Sequence, residues 1–541
     1  MDKLHNSPNA REETWSKLTG SPSGKKPEWD LLVIGGGITG AGILREAARR
    51  DLAAALIEQR DFAWGTSSRS SKMVHGGLRY LLTGQVKMTR NALQERDRLL
   101  REAPGLVDPM GFLFSHYRGR APGRGSLNTL LAVYDILARR WSHRYYRAHE
   151  YLFLAPRINI NGLKGGTSFR DAITDDARLV LRTIREAQRD GALAMSYVVA
   201  EGLMTKGGKT CGVALRDMLT GETDEVRAKA VVNATGTWAD GLRREVGGGM
   251  AIRPLRGSHL VFPFWRVPVA QAITLYHPAD GRPVFLLPWE GVTVVGNTDL
   301  DHEGDLNSEA SITTKEMDYL LEVVRYQFPS LGIGPVDILS TYSGVRPVIG
   351  TGMSDPSKEK RDHHIWVERG LISVSGGKLT TFRLMALDVL KHAAPFIPSL
   401  SARDTKEPVF REPEEAKTEL RRLDPFMRRR LAGHYGPEAL DVVHCAKPTE
   451  LQRVPETHTL WAEVRWAARA EAVAHLDDLL LRRTRLGLLL REGGEALFPL
   501  LKTICREELG WDNERWAQEA GEYKTLWRRC YGVPYKENGS P

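Results

Sequence analysis

Near the start of the chain, a short apolar run is followed by a glycine-rich turn and a segment of helical composition. Leu31–Ile34 are continuously apolar, a pattern typical of a strand buried on both faces. Three glycines follow with the spacing G-x-G-x-x-G: Gly35, Gly37 and Gly40. Residues 43–50 have helical composition, and a second apolar run, residues 53–57, ends at Glu58. This order predicts a dinucleotide-binding βαβ unit, in which a strand, a glycine turn, a helix, a second strand and an acid follow one another.

Each glycine has a separate physical purpose in such a unit. Gly35 permits the tight turn, Gly37 lets backbone N–H groups approach a pyrophosphate, and Gly40 lets the helix pack close to the strand. The positive end of the helix dipole favours the negative charge of the phosphates. Glu58 stands where a carboxylate binds a ribose, and it argues against a 2′-phosphate. The ligand is therefore predicted to be an adenine dinucleotide, with FAD and NAD both open at this point.

Hydrophobic periodicity over the whole chain predicts a Rossmann-like α/β domain, an inserted, mostly antiparallel β domain for substrate, and a C-terminal all-helical domain. Residues 192–232 have the pattern of short meandering strands, and residues 251–350 alternate strands with Pro/Gly turns. The predicted boundaries are 1–27, a disordered leader; 28–110, 166–245 and 351–404, the dinucleotide-binding domain; 111–165, a helical and loop excursion; 246–350, the substrate domain; and 405–541, the helical cap.

Composition and charge restrict the class of protein. The 541 residues include four widely separated cysteines, which fit a reducing compartment and indicate neither a disulfide framework nor a metal site. His302, His363 and His364 lack companions at metal-ligand spacing, so no metal is predicted. No apolar run approaches the roughly 18–20 residues that span a bilayer, and the N-terminus lacks a signal-peptide core. The net charge of +9 fits nucleic acid, an anionic membrane, an anionic substrate or a diffuse surplus.

Several glycine-rich or hydroxyl-rich motifs follow the dinucleotide turn. Residues 66–72 (TSSRSSK) and 75–80 (HGGLRY) suit a loop that passes phosphates, and residues 231–240 (VVNATGTWAD) resemble a strand that returns to the cofactor. Residues 343–350 (SGVRPVIG) end the predicted substrate domain. Residues 371–383 (LISVSGGKLTTFR) form a strand, a glycine turn and a helix, whose N-terminus would face a ring that becomes negative on reduction.

With these motifs in order, the chain resembles the FAD-dependent glycerol-3-phosphate dehydrogenases, the aerobic, quinone-linked enzymes of the D-amino-acid-oxidase-like flavoprotein superfamily. The resemblance extends from about Asp30 to the C-terminus and includes residues 477–487 (DDLLLRRTRLG). It implies a bound FAD, and the residues at matching positions are Gly35, Gly37, Gly40, Glu58, Thr66, Ser67, Ser71, Lys72, His75, Gly76, Ala234, Gly236, Gly377, Lys378, Leu379 and Thr380.

The same resemblance implies a substrate pocket rich in cations. Its members would be Arg79, Tyr80, Arg346, Arg361 and Lys378, with His259 and Arg346 in catalytic positions. A phosphomonoester is a dianion that guanidinium and ammonium groups bind well. The match of Arg361 rests only on its spacing from Arg346 and on the Asp362 that follows it. His259 suits the base because imidazole titrates near working pH, although an arginine that lowers the pKa of the alcohol would leave His259 as an orienting group.

The resemblance further implies that electrons pass to ubiquinone or menaquinone, and that the protein is cytoplasmic with peripheral contact at the inner face of the membrane. Such contact requires an apolar face flanked by basic residues. Two segments fit this description, Phe426–Leu431 (FMRRRL) and Leu481–Leu490 (LRRTRLGLLL). A homodimer is a further possibility that the sequence does not decide.

Three alternatives remain open from the sequence. The first is a glycerophosphate oxidase that reduces O₂, and the second is a related flavoenzyme that oxidises an amine or a 2-hydroxy acid. The second would bind a carboxylate with one arginine, whereas a phosphate needs several cations. The third is a basic nucleic-acid-binding protein. Two observations argue against nucleic-acid binding. The sequence shows no helix-turn-helix or aromatic-basic pattern, and many Glu residues lie among the C-terminal arginines.

Overall fold

The structure is a computed structural model, and it describes residues 8–20, 26–82, 84–353, 359, 362–400, 407–411 and 420–534. Arg361, predicted to bind substrate, lies outside the described residues, as does the side chain of Arg79. The strands are β1 (Glu28–Ile34), β2 (Ala54–Glu58), β3 (Met73–Val74), β4 (Val107–Tyr117), β5 (Arg144–Arg147), β6 (Leu163–Thr174), β7 (Leu193–Ser196), β8 (Val198–Lys206), β9 (Lys209–Asp217), β10 (Thr223–Asn233), β11 (Ile252–Pro263), β12 (Ala272–Tyr276), β13 (Pro283–Trp289), β14 (Val292–Gly296), β15 (Leu300–Asp301), β16 (Ser340–Ile349), β17 (His363–Glu368) and β18 (Leu371–Gly376).

The α-helices of the described segments alternate with these strands and then fill the C-terminal part. They are α1 (Pro8–Thr19), α2 (Ile38–Ala48), α3 (Leu78–Leu82), α4 (Val86–Glu102), α5 (Arg124–Leu137), α6 (Ala148–Leu154), α7 (Asp176–Arg189), α8 (Ala239–Glu245), α9 (Thr314–Gln327), α10 (Phe382–Ala393), α11 (Pro425–Tyr435), α12 (Ala439–His444), α13 (Trp461–Ala470), α14 (Leu486–Leu489), α15 (Phe498–Leu509) and α16 (Asn513–Cys530). A π-helix spans Asp478–Arg483, and short 3₁₀ helices include Thr66–Ser68, Gly236–Trp238 and Leu379–Thr381.

The first sheet is the predicted dinucleotide-binding sheet. Its strand order is β17-β18-β10-β1-β2-β7, with β18, β10, β1, β2 and β7 parallel and β17 antiparallel at one edge. Strands β8 and β9 continue it antiparallel beside the first half of β10. Leu31 and Val33 join the core shared with α2, α7 and α10, whereas Leu32 and Ile34 belong to the core on the other face. The continuous apolar run is thus explained by burial on both faces.

The expectation of a disordered leader is wrong for Pro8–Thr19, which form α1. Trp15 and Leu18 are buried in the core beside β1, and the Trp29 indole donates to the carbonyl of Leu18 at 3.1 Å. The Arg11 guanidinium donates to both carboxylate oxygens of Asp217, at 2.9 and 2.8 Å. Two buried apolar side chains and one ion pair therefore fix a segment whose average composition is polar.

The second sheet is the predicted substrate sheet, but it draws on more of the chain than expected. Its order is β15-β11-β14-β13-β12-β4-β6-β3, with β16 paired to β11 and β5 paired to β6. Among the described strand pairs of this sheet, only β4 and β12 are parallel. Strands β4, β5 and β6 come from residues 107–174, so residues 111–165 contribute strands to this sheet as well as helices α5 and α6 and the loops between them. The antiparallel pairing of β4 with β6, which sequence periodicity did not reveal, incorporates this segment into the sheet.

The C-terminal helices cover one face of the second sheet, in agreement with the predicted helical domain. Val261 and Tyr342 pack in one core with Leu480, Leu486 and Trp527. On the opposite face, helix α9 packs on Leu260 and Phe262, which belong to a separate core. Within the described ranges, no helix is both long and apolar enough to cross a membrane.

Leu481–Leu490 do not form the predicted membrane-facing surface. Leu481, Leu486 and Leu488 are buried, and so are the arginines between them. Arg483 lies with both terminal nitrogens 2.7 Å from the carboxylate of buried Asp61, which joins the helical domain to the loop after β2. The basic and apolar pattern therefore reflects a buried interface in which the arginines are paired.

Candidate active site

Two glycines of the dinucleotide turn are required by close packing. Gly35 has φ +115°, and a Cβ there would lie 2.6 Å from the carbonyl oxygen of Ala234. A Cβ at Gly40 would lie 1.9 Å from the carbonyl oxygen of Gly35. Strand β10 and helix α2 therefore approach this turn so closely that a side chain at either position would displace backbone.

Gly37 is different, because its own fold does not need a glycine. Its φ of −80° suits any residue, and among the described residues a Cβ would contact only Ser67, with the hydroxyl 3.1 Å away. Gly37 is the N-cap of α2, where unsatisfied N–H groups and the helix dipole attract an anion. The missing side chain leaves this helix end open, which fits the pyrophosphate of a dinucleotide.

The loop that follows β2 lies in front of this helix end. The Ile38 N–H donates to the Ser67 hydroxyl at 2.9 Å, and the Thr66 hydroxyl donates to the carbonyl of Val345. These contacts place Thr66 and Ser67, both predicted cofactor residues, between the dinucleotide turn and strand β16.

Glu58 ends β2 beside the turn, as predicted. Its carboxylate accepts the N–H of Gly36 at 2.7 Å and the N–H of Arg60 at 2.9 Å, one on each oxygen. Burial raises the pKa of Glu58 despite these two hydrogen bonds. Each oxygen keeps further acceptor capacity, so the geometry is compatible with the predicted ribose contact.

Two more segments converge on the same edge of the first sheet. Gly376 and Gly377 have φ of +81° and +77°, and the Ser375 hydroxyl donates to the carbonyl of Gly236 at 3.1 Å. The Thr380 hydroxyl accepts the N–H of His75 at 3.2 Å. These hydrogen bonds link the motif of Gly236 to that of Ser375 and the motif of His75 to that of Thr380. Their contact with the cofactor stays a prediction.

Gly76 is held at the inner side of this convergence. Its N–H donates to the Tyr134 hydroxyl at 3.0 Å and to Asp171 at 3.2 Å. A Cβ at Gly76 would lie 2.3 Å from Leu93, so the glycine is required by packing. Burial lowers the pKa of the neighbouring His75 imidazole.

Lys72 differs from its predicted role as a cofactor contact. The side chain is fully buried, and its ammonium donates to the carboxylate of Asp176 at 2.8 and 2.9 Å and to the carbonyl of Ser68 at 2.8 Å. Burial and the nearby charge of Arg485 lower the pKa of Lys72 to about 7. The ammonium is directed to the protein interior because its partner, 104 residues later in the chain, lies there.

The candidate base His259 lies on β11, opposite Tyr342 of β16. The two rings are stacked, with centroids 4.5 Å apart and an interplanar angle of 12°, and His259 Nε2 is 2.8 Å from the Ser71 hydroxyl. Burial, together with the positive charges of Lys72 and Arg346, lowers the pKa of His259 well below its usual value. These surroundings favour the neutral form of the imidazole, which is the form that accepts a proton.

The predicted substrate cations Arg346 and Lys378 have different partners in the structure. Arg346 Nη1 is 3.2 Å from Asp299, and its Nη2 donates to the carbonyl of Thr298 at 3.1 Å. The ammonium of Lys378 lies 3.2 Å from the centroid of the Tyr80 ring. The charge of Arg346 acts on His259 and the charge of Lys378 acts on His75, so each cation lies near one candidate site residue. That they bind the substrate together stays a prediction.

Several residues that support this site were not predicted. Asp299 orients Arg346, Tyr342 stacks on His259, and Asp176 and Arg485 hold the loop before Ser71. Asp299 follows strand β14 in the motif VGNTD (295–299), where an acid directly after a buried strand could have suggested a site residue. No local signal identified Asp176 or Arg485, because their partners are remote in sequence.

Comparison with known sequences defines the class of protein to which this site belongs. Residues 30–387 match the family described as FAD dependent oxidoreductase, and residues 401–516 match the C-terminal domain of alpha-glycerophosphate oxidase. The protein is therefore an FAD-dependent oxidoreductase with a C-terminal domain of the glycerophosphate oxidase type, and FAD is its cofactor. The open N-terminus of α2 and the acid at the end of β2 fit that cofactor.

Individual relatives narrow the family. The chain is 33% identical over 485 residues to the aerobic glycerol-3-phosphate dehydrogenase of Staphylococcus haemolyticus, covering 84% of this chain and 86% of that relative. It is 41% identical over 367 residues to the enzyme of the same name from Bacillus subtilis, covering 67% and 66%. The chain belongs to the family of aerobic, FAD-dependent glycerol-3-phosphate dehydrogenases, as its motifs predicted.

Solved structures agree with this assignment. The X-ray structure of the glycerol-3-phosphate dehydrogenase from Bacillus halodurans complexed with FAD has a TM-score of 0.78 at 28% identity, covering 99% of this chain and 100% of that chain. L-alpha-glycerophosphate oxidase from Mycoplasma pneumoniae, with FAD bound, has a TM-score of 0.56 at 18% identity over 71% of this chain and 98% of that chain, which shows a shared fold.

Proposed function

We propose that the protein oxidises sn-glycerol 3-phosphate to dihydroxyacetone phosphate. The observation that carries this proposal is the buried imidazole of His259, which stacks on Tyr342 and lies 2.8 Å from the hydroxyl of Ser71 in the loop that follows β2. Oxidation of a secondary alcohol requires hydride loss from carbon and proton loss from oxygen. FAD, when bound, supplies the hydride acceptor, so the chain itself must hold the phosphate and receive the hydroxyl proton.

The roles of the side chains follow from charge and position. Arg346 and Lys378 supply cations that a phosphate dianion needs. His259 takes the hydroxyl proton, and the positive charge of Arg346 stabilises the oxygen as that proton leaves. An amine or 2-hydroxy acid would leave this group of cations without a phosphate, which favours glycerol 3-phosphate over those alternatives.

Anaerobic mixing of the FAD-loaded protein with substrate tests the reaction. Loss of the visible flavin absorbance with sn-glycerol 3-phosphate, but not with glycerol, lactate or glycine, is the expected result. Bleaching by lactate or glycine in preference to glycerol 3-phosphate would contradict the proposed substrate. Reoxidation of the bleached protein by a soluble quinone, and only slowly by air, is expected for a dehydrogenase, whereas rapid reoxidation by air would identify an oxidase.

We also propose that the electron acceptor is a membrane quinone, reached from a surface that we term the basic edge, residues 118–164. Residues 118–164 contain nine Arg and Lys against two Asp and Glu, a net charge of +7 in a chain whose total is +9. All nine cations are exposed, whereas Asp135 is buried and bonded to Ser142 and His143. The positive surplus of the protein is therefore concentrated in one segment.

The basic edge also exposes large apolar side chains, which is the combination that an anionic bilayer binds. Ile136, Trp141 and Phe153 are 68%, 68% and 87% exposed. Helix α5 carries Ile136 on its outer face, while its inner-face Tyr134 accepts the N–H of Gly76 in the cofactor loop. A bilayer at this surface would therefore lie one helix away from the flavin site.

Vesicle flotation tests the basic edge. Each Arg near an anionic surface contributes about 1 kcal/mol, so the double variant Arg139→Glu and Arg140→Glu should weaken binding to phosphatidylglycerol vesicles by at least ~30-fold. The matched control, Lys206→Glu and Lys209→Glu in the β8–β9 turn of the first sheet, makes the same charge change and should bind normally. Equal loss in both variants, or binding to DNA at physiological salt without vesicle binding, would contradict the assignment.

A further inference from the structure

The loop Ser68–Lys72 is held by a buried cluster of charges that includes an arginine from the C-terminal helical domain. The Arg485 guanidinium donates to the carbonyl of Ser68 at 2.7 Å and to Asp176 at 3.0 Å. Lys72 donates to the same carbonyl and the same carboxylate. The Asp176 carboxylate also accepts the N–H and the hydroxyl of Ser70, at 2.9 and 2.7 Å. Ser68, Ser70 and Lys72, three alternate residues of the loop, are thus fixed by one cluster.

The same loop determines the surroundings of His259. The Ser71 hydroxyl lies 2.8 Å from His259 Nε2, and the Tyr342 hydroxyl donates to the carbonyl of Ser70 at 3.0 Å. Tyr342 in turn stacks on the imidazole. Both the hydrogen bond and the stacking partner of His259 are therefore anchored to residues 70 and 71.

Buried charges would contribute little net stability if the cluster only held the loop in place. Lys72, Asp176 and Arg485 are each 2% exposed or less, and Arg485 has a left-handed backbone with φ +63°. Desolvation of buried charges offsets much of their attraction, and apolar side chains of similar size often stabilise as well or better. Charges with fixed hydrogen-bond directions provide positional accuracy, which apolar packing supplies less well.

We propose that Ser71 and Arg485 are positioning residues for His259, with Arg485 fixing the loop and Ser71 fixing the orientation and tautomer of the imidazole. The C-terminal helical domain thereby governs how well the hydroxyl proton is accepted in the other domain. This inference rests on the proposed function, since it assigns a purpose to contacts of the proposed base.

Anaerobic flavin reduction by saturating glycerol 3-phosphate, measured as a function of pH, tests the role of Ser71. A misplacement of about 1 Å lowers the rate of a catalytic step by roughly 100-fold, so Ser71→Ala should reduce the rate by ~10–100-fold with little change in the substrate concentration for half-saturation. The pH at which the rate reaches half its maximum should also shift. Ser71→Thr, which keeps the hydroxyl, should restore most of the rate and the original pH profile.

Arg485 is tested with a matched control in the same segment. Arg485→Lys keeps a charge but loses the planar fork, and it should slow flavin reduction and shift the pH profile in the same direction as Ser71→Ala. Arg483→Lys alters another buried arginine that pairs with Asp61 and does not contact the Ser68–Lys72 loop. This control should lower thermal stability comparably and leave the rate and pH profile of the folded protein unchanged.

The outcomes separate this inference from the proposed function. If wild-type protein is not reduced by glycerol 3-phosphate, the proposed function fails. If wild-type protein is reduced, and both Ser71→Ala and Arg485→Lys keep the wild-type rate and pH profile, the positioning role is refuted. If Arg485→Lys fails to fold, the two Ser71 variants decide. An unchanged rate in Ser71→Ala, or a rate loss that Ser71→Thr does not restore, overturns the proposal.

Discussion

Two glycines of the dinucleotide turn, Gly37 and Gly40, should differ in how replacement by alanine affects the stability of the protein. At Gly40, the new Cβ would lie 1.9 Å from the carbonyl oxygen of Gly35. An ordinary carbon–oxygen contact is about 3.3 Å, so the helix or the turn must move by about 1.4 Å, and overpacking of this kind destabilises a protein by roughly 1–3 kcal/mol or more. Gly40→Ala should therefore lower the unfolding temperature of the FAD-free protein by several degrees.

At Gly37, a Cβ would contact only Ser67 among the described residues, and the backbone is unstrained. Gly37→Ala should therefore leave the unfolding temperature of the FAD-free protein within about a degree of wild type, and could raise it slightly by restricting the unfolded chain. The added methyl group would instead occupy the approach to the N-terminus of α2 and weaken FAD binding by about tenfold or more.

Thermal unfolding of FAD-free protein and fluorescence titration with FAD measure the two effects separately. The expected pattern is a stability loss confined to Gly40→Ala and an affinity loss in both variants. If Gly37→Ala unfolds as early as Gly40→Ala, or binds FAD as tightly as wild type, the assignment of Gly37 to the pyrophosphate is refuted.

Three further predictions concern the site and the helical domain. Arg346→Met should lower kcat/KM for glycerol 3-phosphate, measured by steady-state kinetics, by roughly 100-fold, because a hydrogen bond to a charged group contributes about 1.5–3 kcal/mol. An unchanged kcat/KM would contradict this prediction. His259→Gln should lower the rate of flavin reduction by about 100-fold or more, measured by stopped flow, whereas a small effect would favour an orienting role. Burial alone would lower the pKa of His475, but its hydrogen bond to Glu519 at 3.0 Å and the charge of Asp478 raise that pKa to about 9. Stability from this interaction is fully present below the unfolded pKa of about 6.5 and is lost as pH rises through 9. In chemical denaturation, His475→Gln should therefore lower the free energy of unfolding by about 1–2 kcal/mol at pH 6 and by much less at pH 10. A loss that does not depend on pH would contradict this.

Local pattern was enough to predict the dinucleotide turn. The apolar run Leu31–Ile34, the glycine spacing and Glu58 each record a constraint that acts within one βαβ unit. The structure explains two of the glycines by contacts below 3 Å and leaves Gly37 to the ligand. The family resemblance also identified His259 and Arg346, which the structure places within electrostatic reach of each other.

Long-range pairing explains what sequence pattern missed. The direction of the Lys72 side chain depends on Asp176, and the burial of Arg483 depends on Asp61, more than 400 residues earlier. An apolar and basic helix has the same sequence pattern whether it faces lipid or a buried carboxylate, so Leu481–Leu490 could not be assigned from sequence. The pairing of β4 with β6 was missed because each strand is recognisable mainly through its partner, which is remote in sequence.

A structure of the FAD-loaded protein with glycerol 3-phosphate bound would test the central claim most directly. The account predicts the phosphate on Arg346 and Lys378, with the secondary hydroxyl about 3 Å from His259. A phosphate bound away from both cations, or a secondary hydroxyl with no path to the imidazole, would contradict the proposed roles of these residues.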